Sequence, residues 1–232
     1  GAVTIDTTSP GGDDGSDAPV LAIAEADDNY INADEISDGI QAVVTLTAGT
    51  EEGDTVTVTL TDSAGDAHEF THTVTAAEAT DGQVEMTLNG TFAEGAASTV
   101  AVISDEAGNS SADSKAVTFT IDTTSPGGDD DDGSDAPVLA IAEADDNYIN
   151  ADEISDGIQA VVTLTAGTEE GDTVTVTLTD SAGDAHEFTH TVTAAEATDG
   201  QVEMTLNGTF AEGAASTVAV ISDEAGNSSA DS

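Results

Sequence analysis

The chemically capable side chains of this chain are oxygen donors gathered in acidic loops, together with one spaced pair of histidines. Calcium takes roughly six to eight oxygen ligands from carboxylates, amides, carbonyls and water. A loop offering several within a few residues is therefore a candidate site. Asp27, Asp28, Asn32 and Glu35 crowd the segment ADDNYINADE, and Asp62 with Asp66 crowd DSAGDA. Asp105 opens a third such segment, SDEAGN. The same positions return as Asp145, Asp146, Asn150, Glu153, Asp180, Asp184 and Asp223. ADDNYINADE lacks the spacing and central Gly of an EF-hand loop, so it reads as a calcium loop outside that motif. The rival reading is a solvated acidic loop, and Asp105 has the further option of capping its own turn.

His68-Glu-Phe-Thr-His72 fits H-E-x-x-H and recurs from His186 to His190. Zinc hydrolysis would need both imidazoles one helical turn apart, with Glu as general base. The surrounding residues alternate as a strand through Phe70 and Val74, and on a strand four residues span about 13 Å. The motif is therefore not read as a zinc site. The many paired carboxylates lack an environment that would separate their acidities for acid–base work, and the chain is expected not to be an enzyme. Asn89-Gly-Thr91 and Asn109-Ser-Ser111 match a glycosylation acceptor pattern and read as turns. Tyr30 and Tyr148 are the only tyrosines and Trp is absent, a poor supply of rings for stacking sugars. Tyr30 reads as packing beneath its loop.

These residues sit in a chain with 48 Asp plus Glu, a single Lys or Arg (Lys115), and a formal net charge of −47. Neighbouring carboxylates lie within about one Debye length, roughly 8 Å at physiological salt, so self-repulsion opposes compaction. Salt bridges cannot relieve it, and the counter-charge must come from bound cations or high salt. Nucleic acid and anionic membrane are excluded as partners by the same arithmetic. Disorder is not implied, because 38% of residues are hydrophobic and Val, Ile and Thr recur with strand periodicity. Cysteine is absent, which removes disulfides and thiolate metal sites. No stretch approaches the roughly 20 apolar residues of a membrane span. No signal peptide opens the chain, which reads as a piece of something longer.

Repetition organises the rest. Gly15 to Ser114 recurs without a substitution as Gly133 to Ser232, and IDTTSPGG at Ile5–Gly12 recurs at Ile121–Gly128. Repetition multiplies length or valency. Each copy has about 100 residues, the size of one sandwich domain. Alternation predicts strands over 20–24, 40–47, 55–61, 69–75, 84–89, 99–104 and 116–121, separated by turn residues. No helix of useful length is predicted. The fold class expected is all-β: two tandem immunoglobulin-like sandwiches joined by an acidic, calcium-binding linker. The expected divisions are 1–12, the end of a preceding repeat and linker; 13–123, repeat 1; and 124–232, repeat 2 without its last strand.

The order IDTTSP, ADDNYINADEI, SDEAGN around seven strands resembles the bacterial Ig-like repeats of RTX adhesins. The resemblance implies a calcium-rigidified extender at the bacterial surface, secreted by a type I route, holding a distal ligand-binding region away from the cell. It also implies that Asp6 and Asp122 of IDTT bind Ca²⁺. In that topology Asp27, Asp28, Asn29, Asn32, Glu35, Asp62, Asp66 and Asp122 gather at one end of copy one. Glu169, Glu170, Asp172, Asp223, Glu224 and Asn227 gather at the opposite end of copy two, with Asp129–Asp132 between. Affinity is expected to be weak, around 10⁻⁴–10⁻³ M. The alternative function is an acidic surface-layer or adhesive module of a halophile without specific calcium sites. A last expectation concerns partners besides neighbouring repeats. Copy two lacks its final strand, and Ala2, Val3, Thr4 and Ile5 repeat a shortened version of it; one reading is that copy two is simply incomplete, the other that this segment of one molecule fills the vacant edge beside Val218–Ile221 of another, head to tail.

Overall fold

A computed structural model describes residues 2–12, 17–128 and 135–232; the Asp129–Asp132 segment of the expected junction lies outside them. The chain divides into two compact units, Gly1–Thr123 and Thr124–Ser232.

In the first unit, Val, Ile and Leu alternate with Thr and Gln, and a period of two buries every second side chain. Strands β1 (Val20–Ile23), β3 (Ile40–Thr45) and β6 (Gln83–Leu88) form one sheet with β3 central. The other sheet has the order β2-β8-β7-β4-β5, with β2 Tyr30–Ile31, β4 Thr55–Thr61, β5 Ala67–Thr73, β7 Gly95–Ser104 and β8 Val117–Ile121. Register follows the alternation: Val56 lies opposite Ile103 and Val58 opposite Ala101, all four buried. β2 runs parallel to β8, Ile31 beside Ile121, and closes the sheet against the first strand segment. The inner faces meet in one core that includes Ile31, Ile40, Val44, Leu60, Leu88, Phe119 and Ile121.

Two short helices depart from the expectation of none. α1 (Ala33–Asp38) and α2 (Ala76–Asp81) each start in a capping box, Asn32 with Glu35 and Thr75 with Glu78. Each reciprocal pair satisfies two N–H groups that a helix start leaves open. Neither helix has an apolar stripe to announce it. The strand expected over 69–75 begins two residues earlier and stops at Thr73, because Thr75 caps α2.

The second unit repeats β9 (Val138–Ile141), β10 (Ile158–Thr163) and β13 (Gln201–Leu206) as one sheet. Its other sheet is β12 (Ala185–Thr191), β11 (Thr173–Thr179) and β14 (Ser216–Ser222). α3 (Ala151–Asp156) and α4 (Ala194–Asp199) repeat the capped helices. No counterpart of β8 is among the described residues of this unit. Ile31 is fully buried while its counterpart Ile149 is half-buried, and Leu21 and Ile23 are buried while Leu139 and Ile141 are half-buried.

Chain entry and exit lie at opposite ends of the first sandwich. The Ser9–Gly12 turn enters beside the loop after β3, where Gly11 N–H donates to the Ala48 carbonyl at 2.9 Å. Gly11 has φ of +81°, and a Cβ there would sit 2.4 Å from the Asp17 carbonyl oxygen, so the turn requires glycine. Gly127 repeats the contact with Ala166 in the second unit. The exit is at the other end of β4, where Glu94 Oε1 accepts from Thr123 N–H at 3.0 Å and from its hydroxyl at 2.5 Å.

The two surroundings of one sequence give a direct test. Ile31→Ala empties a fully buried site and is expected to cost about 2–5 kcal/mol, whereas Ile149→Ala is expected to cost less than half of that. Urea unfolding followed by tyrosine-adjacent NMR signals of each unit measures both.

Candidate cation sites and carboxylate pins

Each acidic loop has been given a use for its oxygens by the local fold. After β4, Asp62 turns back into its own loop. Its Oδ1 accepts from Ala64 N–H at 3.0 Å and Asp66 N–H at 3.2 Å, and its Oδ2 from Ala93 N–H at 3.0 Å. His68 Nε2 lies 3.0 Å from the same Oδ2. One carboxylate, only 6% exposed, thus pins the loop after β4 to the loop before β7. Asp180 does the same with Ala182, Asp184, Ala211 and His186. The Ala93 N–H first, and then His68, hold the Asp62 carboxyl down at about 2. Asp180 is held at about 2 by Ala211 and His186.

The H-E-x-x-H histidines share one face of β5 but serve different partners. His68 bonds Asp62, and His72 Nε2 lies 2.9 Å from both Glu78 oxygens. Glu78 also closes the α2 capping box, accepting from Thr75 N–H at 2.8 Å. His72 and then the Thr75 N–H lower the Glu78 carboxyl to about 2, and Glu196 matches it through His190 and Thr193. His68 also meets Phe92 edge-on, with ring centroids 4.9 Å apart. The strand separates the imidazoles as its rise requires.

The other nominated oxygens are placed as follows. Asn32 and Glu35 form the α1 capping box, Glu35 Oε2 taking Asn32 N–H at 2.9 Å and Asn32 Oδ1 taking Glu35 N–H at 3.0 Å. Asn150 and Glu153 repeat it. Asp27 and Asp28 end a 3₁₀ turn, Ala24–Asp28, and Asp28 Oδ1 accepts from Tyr30 N–H at 2.8 Å. Asp145 and Asp146 repeat the turn, Asp146 accepting from Tyr148 N–H. Asp105 caps its turn: Asn109 donates N–H to Oδ1 at 2.8 Å and its amide to Oδ2 at 2.7 Å. That amide lowers the Asp105 carboxyl below its usual range. Asp223 makes the same pair of bonds with Asn227. Asp6 Oδ1 accepts from Thr8 N–H, while its carbonyl takes the Asn109 amide at 3.2 Å. Asp122 N–H donates to the Ile31 carbonyl at 2.9 Å. The structure therefore brings Asp6 to the Asp105 turn and Asp62 to Asp66. Among the described residues, no three His, Cys, Asp or Glu converge closely enough to hold a metal ion.

One carboxylate stands apart. Asp172 follows Gly171 at the start of β11, is 5% exposed, and accepts from Glu169 N–H at 2.8 Å. Burial raises its carboxyl above the ordinary value, and repulsion from Asp223, Glu169 and Glu224 adds to the rise. Asp54 is its counterpart in the first unit, equally buried and bonded to Glu51 N–H. Gly53 makes room there, since a Cβ would sit 2.8 Å from Glu106 Oε1. Sequence reasoning placed Asp172 in an acidic end but passed over Asp54. The signal was E-E-G-D-T: an Asp after a positive-φ glycine at a strand start, where its side chain turns under the loop.

Residues 15–123 match the profile of a family described as bacterial Ig-like domain. Repeat 1 is a bacterial Ig-like domain. The identical segment 133–232 carries the same Ig-like sequence up to the counterpart of Ser114. No curated protein matches the chain. Among solved structures, a tetra-tandem repeat from the extending region of a large adhesion protein is 21% identical over 92% of this chain, with a TM-score of 0.36. A 1.5-MDa bacterial ice-binding adhesin is 24% identical over 93%, with a TM-score of 0.38. The FN1–FN3 domains of chicken CNTN1 are 9% identical over 97% of this chain and 67% of their own length, with a TM-score of 0.46. The chain spans 47% of the first of these structures and 62% of the second. No helix among the described residues is long and apolar enough to cross a membrane.

The pinned carboxylates set an acid limit for the Ig-like fold. Their acidity in the folded state is depressed, so the stability they add is fully present above about pH 4.5. It is lost as pH falls toward about 2. Melting temperature is expected to drop through that window. Asp62→Asn with Asp180→Asn is expected to lower it at pH 7 and flatten the drop, as circular dichroism melts at stepped pH would record.

Proposed function

We propose that this chain is a stretch of the extender of a large bacterial surface adhesin, a spacer outside the cell whose counter-charge is supplied by calcium. The observation that carries the spacer reading is the placement of entry and exit in the first sandwich. The chain comes in beside Ala48 and Asn109 and leaves beside Ser63 and Glu94, whose carbonyl accepts the Ser63 hydroxyl. Those groups flank opposite ends of the seven-residue β4, about 20 Å apart at the rise of a strand. Every repeat of such a module adds length. An identical second copy is the economical use of that geometry, and a tetra-tandem repeat from the extending region of a large adhesion protein is among the structures this chain resembles.

Calcium enters through electrostatics. A carboxylate whose acidity is weakened first by burial and then by the like charges of Asp223, Glu169 and Glu224 costs stability whenever it is ionised. No three of these acids converge on one ion, so calcium drawn to this acidic end relieves the penalty as a nearby counter-charge held largely by carbonyls and water. It binds the folded state and so stabilises it by mass action. Ligands already facing N–H donors leave the rest of the shell to carbonyls and water, which suits weak extracellular affinity.

Thermal melting separates the readings. With calcium about a hundredfold above its dissociation constant, the gain is about 2.7 kcal/mol, a rise on the order of 10 °C, with less from magnesium. Asp172→Asn is expected to raise the melting point in EDTA and to shrink the calcium increment. Small-angle scattering is expected to show a narrower spread of shapes in calcium than in EDTA. Equal rescue by concentrated sodium chloride, with no selectivity for calcium, would support the halophile reading and refute the calcium one.

A further inference from the structure

Each unit carries four asparagines, and the local fold commits three of them. Asn109 donates its side-chain amide to Asp105 Oδ2 at 2.7 Å, and Asn227 donates to Asp223 at 2.9 Å. Asn32 and Asn150 hold their helix starts, each accepting an N–H through Oδ1. Asn29 and Asn147 end their 3₁₀ turns, and the N–H that follows each, of Tyr30 and of Tyr148, is taken by Asp28 and by Asp146. The fourth, Asn89, comes directly after β6, outside any strand or helix, and is exposed together with Gly90 and Thr91. Asn207, Gly208 and Thr209 repeat the arrangement after β13. Among the described residues, nothing accepts from the N–H of Gly90 or of Gly208.

Packing explains the glycine. Phe92 is buried and meets His68 edge-on, and a Cβ on Gly90 would lie 3.0 Å from the Phe92 Cζ. Gly208 stands in the same relation to Phe210. The residue that lets the ring tuck under the turn also leaves the N–H after Asn89 with no side chain to shield it. An unshielded, unengaged N–H next to an exposed amide is the arrangement that the other three asparagines lack.

We propose that Asn89 and Asn207 are modification sites at which the folded protein deamidates without an enzyme. The Gly90 nitrogen attacks Asn89 Cγ, and its proton passes through water to the departing nitrogen. The Cγ–Nδ2 bond breaks, ammonia leaves, and a succinimide ring remains. Water then opens one of the two ring carbonyls. One opening gives aspartate; the other gives isoaspartate, with the main chain routed through the former side chain. Either product adds a negative charge to the unit. The charge falls at the end of α1, where Asp38 already stands, because a Cβ on its C-cap Gly39 would lie 2.5 Å from Asn89 Oδ1. A helix C-terminus disfavours a carboxylate. Isoaspartate is the costlier product, since it lengthens the main chain between two buried anchors, Leu88 and Phe92.

Peptide mass spectrometry of the 232-residue chain, aged at physiological temperature in buffers from neutral to mildly alkaline pH, tests this. The peptides around the two sites are identical in sequence, so Asn89 is followed in the Asn207→Gln chain and Asn207 in the Asn89→Gln chain. Each site is expected to gain the mass difference between NH and O, faster as pH rises. The product is expected to split into two forms, of which the isoaspartate form resists a protease that cuts before Asp. In the folded chain, Asn89 is expected to convert within a few-fold of its rate in urea. Asn109 and Asn227 are expected to be several-fold slower than Asn89 when folded and to speed up in urea, which frees them from Asp105 and Asp223. Asn89 and Asn207 staying intact in the folded chain while converting in urea would overturn the proposal. So would conversion of folded Asn109 as fast as Asn89.

Discussion

Forty-eight carboxylates and one basic side chain leave this protein to stabilise its acids without ion pairs, and backbone N–H groups take the role that Arg and Lys have elsewhere. Asp62 accepts from three of them, and Asp105, Asp28 and Glu78 accept from one or two. A carboxylate receiving several N–H bonds favours its charged form. The four histidines complete the supply, each beside one of these carboxylates. Most of these pins are local, within a few positions of the chain, as at Asp28, Glu78 and Asp105. The Asp62 bond to Ala93 N–H spans 31 positions.

That use of the acids explains which parts of the molecule were legible in the sequence. Strands over 55–61 and 116–121 are readable because alternation of Val and Thr is both the code and the consequence of one buried face. α1 and α2 were not, since six residues cannot show a helical stripe; their start signals, N-A-D-E and T-A-A-E, were present as capping boxes. The same residues explain the calcium-loop reading of ADDNYINADE. Asn32 and Glu35 have the chemistry of ion ligands, but as N-cap and N3 they face each other's N–H groups first. Spacing alone does not separate the two uses, because a cation and a helix start both ask for converging oxygens. His68 and His72 were legible as strand residues, while their partners Asp62 and Glu78 were not, being fixed by loop paths rather than by pattern.

Asp54 and Asp172 mark the limit of the N–H strategy. Each receives one N–H bond from the residue three before it, lies under its loop, and stands near the Asp105 or Asp223 turn. At Asp172 burial removes water without supplying enough donors, and like charges from Asp223, Glu169 and Glu224 add to the cost. The two pairs of observations belong together: where donors are plentiful the acidity is strengthened, and where they run short it is weakened. A folded domain keeps such a residue only if something outside the polypeptide shares the site, or if the loop geometry it fixes is worth the cost. The bond from Val74 N–H to the Asp54 carbonyl, and from Gly53 N–H to the Val74 carbonyl, shows that this residue also closes the end of the β4–β5 ladder.

Tandem identity carries a hazard that the charge distribution offsets. Neighbours with the same sequence can exchange strands during folding, and unpaired edges are templates for it. In this chain the outward strand positions are mostly Thr, as in β4 and β11, while the acids lie in the loops at the ends. Sheets of low charge fold within a unit, since the acids in these strands, Glu69 and Glu85 and their repeats, lie opposite Thr59 and Val43 and theirs, and no two carboxylates meet across a ladder. Wrong pairings between units must drag acidic loops against one another at low dielectric, where repulsion is strongest.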